Sequence, residues 1–148
     1  CHSLMFAAAK VGMNLTIATP KGYEPKDEVV KLAFADGKKA GIEIDILNDP
    51  VAAVKGADVI YTDVWASMGQ EKQKVKRKQE FSKFQVNKQL VGLAKKDVII
   101  MHCLPAHRGE EITHDVIDGP NSVVFDQAEN RLHVQKAILA LLLGGKNG

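Results

Sequence analysis

The chain has 148 residues, 45% of them hydrophobic, with 20 basic and 18 acidic side chains and a formal net charge of +2. That supplies the core of one ordinary domain, and the near balance of charge excludes a general attraction to nucleic acid or to a membrane surface. The longest apolar run, "AILALLL" at 137–143, falls far short of the roughly 20 residues that span a bilayer.

Two cysteines, Cys1 and Cys103, are too few for a disulfide framework. They point to a reducing, cytoplasmic setting. The chain opens on Cys1 without a basic leader and reads as a helix from its second residue, which suggests an excised part of a longer protein.

Over 3–13, Leu4, Met5, Ala8, Ala9 and Gly12 recur at helical spacing, with Ser3 as the candidate cap. "LTIATP" (15–20) is a β-branched strand closed by Pro20. The amphipathic stretch 26–41 begins with acids after Pro25 and ends at Gly41, as helices do. "IEIDIL" (42–47) alternates as a strand with one wetter face, and 49–57 is a short helix with Pro50 in its first turn.

"DVIYTDV" (58–64) is the next strand, followed by a polar stretch to Glu80. A helix over 87–94, a buried strand over 97–103 and a short helix over 113–118 come next. A last strand is expected over 122–127 and a long helix over 128–145. Strand and helix alternate at separations too long for hairpins. The pattern predicts an α/β fold, an open doubly wound parallel sheet with helices on both faces, Rossmann-like. Ligands of such sheets sit beyond the carboxyl ends of the strands.

Two of those ends are chemically unusual. In "TDVWASMGQE" (62–71), Asp63 closes an apolar strand, where partial loss of water makes a cationic partner favourable. Ser67 offers a hydroxyl, and Met68 and Gly69 offer backbone donors, a set suited to a zwitterionic amino acid. The plainer reading makes Asp63 a helix cap and Trp65 a filler of the core edge.

In "MHCLPAHRGEE" (101–111), His102 and Cys103 alternate across a strand end, so their side chains point to opposite faces. Pro105 cannot continue the ladder, which turns the chain and exposes the Leu104 carbonyl. His102, Cys103 and His107 are short of a four-ligand zinc set. A Cys–His nucleophilic pair is disfavoured because adjacent strand residues diverge. Residues alone make Cys103 a packed thiol first.

The basic stretch 72–84, flanked by Phe81 and Phe84, reads as a solvated loop or helix rather than a single-strand nucleic-acid site. Arg131, early in the last helix, can reach an anion or carbonyl oxygen at the sheet edge, or pair with an acid such as Glu129.

"DVWASMGQE", "HCLPAHRGEE" and "FDQAENRLHVQKAILALLL", in this order and at these separations, resemble the ornithine carbamoyltransferases over about residues 1–145. The related aspartate enzymes carry His-Pro-Leu-Pro where this chain has His-Cys-Leu-Pro, and lack the Ser-Met-Gly loop. The resemblance implies transfer of the carbamoyl group of carbamoyl phosphate to the δ-amine of ornithine, giving citrulline and phosphate, with no metal and no organic cofactor.

By that resemblance Asp63, Ser67 and Met68 hold ornithine, the last two on a closing loop. Cys103 lies near the δ-amine beside Asp63, the Leu104 carbonyl accepts from the carbamoyl nitrogen, and Arg131 binds the carbamoyl oxygen. Asp63, Cys103 and Arg131 are the expected catalytic residues, Cys103, Leu104 and Arg131 the expected carbamoyl phosphate contacts, and His102 has a supporting role.

The family's Ser-Thr-Arg-Thr phosphate loop, its His-Pro-x-Gln segment and the first, central strand of this domain are not in the sequence. Residues 1–148 are therefore expected to be the ornithine-binding domain without its first strand, inactive alone and working in a homotrimer or larger homo-oligomer. A non-catalytic amino-acid-binding module and a transferase for another amine, such as putrescine, are the competing readings.

Overall fold

The computed structural model describes residues 1–66 and 73–144. Two compact units follow one another along the chain, Cys1–Lys55 and Gly56–Gly148.

The first unit runs α1 (His2–Val11), β1 (Leu15–Ala18), α2 (Asp27–Ala40), β2 (Ile44–Leu47) and α3 (Pro50–Val54). Asp27 and Glu28 occupy the first turn of α2 and Lys38 and Lys39 its last, each sign matched to the facing end of the helix dipole. Gly41 ends α2 in the left-handed region, φ 72°, where a Cβ would be strained. β1 and β2 pair in parallel with Leu15 opposite Ile44 and Ala18 opposite Leu47, and α2 is the crossover such a pair requires.

Met5, Ala33 and Ile44 form the buried centre of this unit, with Leu15, Ile17 and Val30 packed around them. Gly37 allows close approach of α2, since a Cβ there would lie 3.2 Å from Ile44 Cδ1 and 3.3 Å from Ile42 Cγ1. Asp49 caps α3 by accepting the Val51 N–H at 2.9 Å.

The second unit contains β3 (Val59–Thr62), α4 (Lys74–Phe81), a 3-10 turn over Ser82–Phe84, α5 (Lys88–Val91), β4 (Ile99–His102), α6 (His114–Ile117) and α7 (Val124–Leu143). β3 and β4 are parallel, with Tyr61 opposite Met101 and Thr62 opposite His102. Val86, Val98, Ile100, Ile112, Val116, Ile117 and Val124 make the core, and the Leu104 side chain packs against it.

The α/β class and the parallel strands agree with the expectation. Among the described residues, however, the strands form two pairs, β1 with β2 and β3 with β4, so each pair leaves an edge of β1 or β3 unbonded. Ser3 is not a cap, because α1 already begins at His2 with Cys1 before it and no side-chain cap bond.

The strand expected over 122–127 shrinks to one bridge, Ser122 with Ile100. Two backbone bonds, Ile100 N–H to Asn121 O and Val123 N–H to Ile100 O, fasten that segment to β4. The Gln127 N–H then bonds the Val123 carbonyl at 2.8 Å, and the helix-favouring "QAENR" carries α7 onward. Two valines and a phenylalanine imitate a strand, but α7 already begins at the second valine, Val124.

The described part of the basic stretch begins with α4, Lys74–Phe81, which has no buried residue. Lys74 and Lys78 pair with Glu110 at 3.6 and 3.5 Å, and Phe81 packs between Trp65 and Phe84. Beyond Val124, α7 leaves Leu132, Val134, Ile138, Leu139, Leu141, Leu142 and Leu143 exposed. No described helix is long and apolar enough to cross a membrane.

Ile100, 1% exposed at the centre of the second core, carries β4 and whatever follows it. Ile100→Ala is expected to lower stability by about 2–5 kcal/mol, read from urea midpoints, and a loss near zero would mean that this core is not what holds β4.

Candidate active site

The parallel register of β3 and β4 sets Asp63 and Cys103 side by side, one residue past the Thr62–His102 pair. Tyr61, two residues before Asp63, shares its face because strand side chains repeat with period two. The Cys103 thiol donates to Asp63 Oδ1 at 2.9 Å, and the Val64 N–H donates to the same oxygen at 2.7 Å. Asp63 is exposed, which corrects the expectation of a desolvated carboxylate: it lies just beyond the strand, where water reaches it.

Partial loss of water pushes the Cys103 thiol up, as does its hydrogen bond to Asp63, while a hydrogen bond from Tyr61 opposes them. The net direction is upward, so the sulfur is a neutral hydrogen-bonding group at neutral pH rather than a thiolate nucleophile. Tyr61 is pushed up to about 12, first by burial and then by the bond to Cys103, with a hydrogen bond from Gln127 pulling the other way.

His102 faces inward as the alternation requires and is 1% exposed. Its Nδ1 accepts the Leu104 N–H at 2.9 Å, so the ring proton sits on Nε2, 3.1 Å from Glu111 Oε1. Glu111 is 0% exposed. Burial pushes its carboxyl up, but donors from His102 and from the His107 N–H at 2.5 Å outweigh it, and the net direction is down. The Gln127 Oε1 accepts the His102 N–H at 3.0 Å, pinning the first turns of α7 to the end of β4.

Leu104 itself sits at φ 54° and precedes a cis peptide bond to Pro105. A non-glycine residue in that region costs about 1–2 kcal/mol. The His102 bond to its N–H and the burial of its side chain against the core supply the restraint. Its carbonyl takes no hydrogen bond among the described residues.

Arg131 is exposed on α7 and has no hydrogen-bond or ion-pair partner among the described residues. It stands four residues after Gln127, hence on the same helix face one turn further along. Ser67 and Met68 lie outside the described residues.

The zinc and nucleophilic-pair readings both fail on this geometry. His102 spends its two nitrogens on Leu104 and Glu111, on the face away from the thiol. His107, Glu110 and Glu111 do bring ligand atoms within 4.8 Å of one another. Glu110 is already matched by Lys74 and Lys78, and Glu111 by His102.

The family profile described as aspartate/ornithine carbamoyltransferase, Asp/Orn binding domain, matches residues 1–142. A relative named ornithine carbamoyltransferase, from Thermococcus kodakarensis, is 63% identical over 144 residues, covering 97% of this chain and 46% of its own length. The solved structure of ornithine carbamoyltransferase from Pyrococcus furiosus superposes with a TM-score of 0.92 at 62% identity, covering 97% of this chain and 46% of that one. An acetylornithine transcarbamylase complexed with acetylcitrulline superposes at 0.83 with 33% identity, covering 95% and 43%. The chain thus spans about half the length of these relatives.

Three residues of this corner escape a reading of the sequence. Tyr61 had a usable signal, its period-two relation to Asp63. Gln127 was hidden by the mistaken strand, which aimed it along a ladder rather than across to β4. Glu111 gave none, because nothing in "RGEE" tells which acid turns inward.

The Glu111 pKa is lowered on folding, so its stabilisation is complete above the ordinary value of 4.5 and is lost as pH falls through the lower folded value. Glu111→Gln removes that acid-labile contribution. It is expected to cost about 1–3 kcal/mol at pH 7 and to flatten the decline of urea midpoint between neutral and acid pH. An unchanged midpoint with an unchanged acid limb would contradict the buried pair.

Proposed function

The chain belongs to the aspartate/ornithine carbamoyltransferase family through its Asp/Orn-binding domain, and from that premise we propose that it is the ornithine-binding part of an ornithine carbamoyltransferase. The whole enzyme transfers the carbamoyl group of carbamoyl phosphate to ornithine, giving citrulline and phosphate, in a reducing cytoplasm. The observation that carries this reading is the Cys103–Asp63 hydrogen bond at 2.9 Å beside a corner whose Leu104 carbonyl takes no hydrogen bond among the described residues.

Ornithine's δ-ammonium must lose a proton before nitrogen can attack. The Asp63 carboxylate is a negatively charged acceptor for it, and the protonated Cys103 is a neutral donor and acceptor beside the incoming nitrogen. As the nitrogen–carbon bond forms, charge grows on the carbamoyl oxygen, and phosphate departs with the electrons of the carbon–oxygen bond. Arg131, without a partner among the described residues and on the helix face that Gln127 docks at β4, is the cation for that oxygen. The Leu104 carbonyl accepts from the carbamoyl nitrogen and thereby orients the group. Ser67 and Met68 complete the hold on ornithine's amino-acid end.

The phosphate-binding half of the site belongs to the rest of the longer protein. The assembly is a homotrimer or a larger homo-oligomer. A transferase for another amine is the second reading, favoured by the likeness to an enzyme complexed with acetylcitrulline.

The full-length protein is expected to carbamoylate ornithine in preference to acetylornithine, putrescine and aspartate, with Asp63→Asn and Arg131→Ala each costing about 100-fold or more in kcat. Product formation is followed colorimetrically. Preference for another amine would move the assignment to that substrate, and no product with any of the four would sink it.

A further inference from the structure

We infer that Gln85 is a positioning residue whose side-chain amide decides which acid of the loop after Pro105 turns inward, Glu111 rather than Glu110. Gln85 stands just past the 3-10 turn Ser82–Phe84. Its Nε2 donates to the Gly109 carbonyl at 3.0 Å and to the Glu110 carbonyl at 2.7 Å, so both hydrogens of the amide are spent. The next residue continues the grip. The Val86 N–H donates to the Glu111 carbonyl at 2.9 Å, and the Val86 carbonyl accepts the Thr113 N–H at 3.1 Å. Three successive carbonyls are thus held by two successive residues.

The consequence follows from the planarity of the peptide group. The Glu110 carbonyl belongs to the plane before the Glu111 Cα, and the Glu111 carbonyl to the plane after it. With one plane fixed by Gln85 and the other by Val86, the φ and ψ of Glu111 are fixed, and with them the direction of its Cα–Cβ bond. That bond leads to a carboxylate with no solvent exposure, 3.1 Å from His102 Nε2. Glu110, one residue earlier, is left to pair with Lys74 and Lys78 of α4. Val86 is anchored in the core, so its half of the grip survives changes at position 85.

The kinetic consequence rests on the carbamoyl-transfer reading. Glu111 holds the His102 ring, the ring accepts the Leu104 N–H, and the Leu104 carbonyl is the proposed acceptor for the carbamoyl nitrogen. In the full-length protein, Gln85→Met keeps the length of the side chain and removes both donors. KM for carbamoyl phosphate is expected to rise about three- to tenfold, with KM for ornithine nearly constant. The rise is expected to be much smaller in a Glu111→Gln background, where the acid through which Gln85 acts is already gone.

Urea midpoints across pH give a readout independent of turnover. The Glu111 contribution is present above pH 4.5 and lost as pH falls. Gln85→Met is expected to make that acid decline shallower, with no further change in the Glu111→Gln background. The titratable groups facing the carboxylate among the described residues are His102, His107 and Glu110, and all three stay in place in both backgrounds.

Equal rises in KM in the two backgrounds, or an acid decline unchanged by Gln85→Met, would overturn the inference. A shallower decline with KM for carbamoyl phosphate unchanged would overturn the positioning role. Gln85→Leu repeats both measurements if the methionine variant does not fold, and failure of both to fold would make Gln85 a support of the whole fold instead. A shallower decline in a protein with no turnover on any amine would support the grip and defeat the carbamoyl-transfer reading.

Discussion

Leu104 stands in a backbone region that a leucine avoids, and the bond from its N–H to the inward-facing ring of His102 helps to hold it there. That ring is in turn fixed by Glu111, a carboxylate with no solvent exposure. Burying an acid costs several kcal/mol unless donors meet it, and here the imidazole Nε2–H and the His107 N–H both meet Oε1, while Oε2 takes no hydrogen bond among the described residues. Every outward feature of the corner, the thiol and the free carbonyl alike, depends on this inward pair being made.

The division of labour comes from the alternation of a strand. His102 and Cys103 are neighbours in sequence and point to opposite faces. One face builds a dry restraint from His102, Glu111 and the Leu104 N–H. The other builds a wet row of donors and acceptors from Tyr61, Asp63 and Cys103. Gln127 stands at their junction, its amide oxygen accepting from the His102 backbone N–H. Through the same residue α7 is docked at β4, and Arg131 rides one turn further along that helix.

Much of this was legible in the residues. Periodicity marks the helices and four strands, and the order of elements gives the parallel α/β class. The opposed faces of His102 and Cys103 follow from period two. The missed strand at 122–127 shows where such reading fails, because "SVVF" has strand propensity but only a single bridge's worth of partner on β4. The direction of Glu111 was illegible for a different reason. Its partner lies nine residues away across a turn, and only the folded loop, with Gly109 at φ 84°, brings the two together.

The central claim is that a neutral His102, carrying its proton on Nε2, restrains the corner from within. Nitrogen-15 NMR of the histidine-labelled full-length protein near neutral pH tests it directly. The account predicts a ring with Nδ1 unprotonated and an Nε2–H that exchanges slowly with water, as a buried donor to Glu111 must. A proton on Nδ1, or an Nε2–H exchanging as fast as that of an exposed histidine, would contradict it.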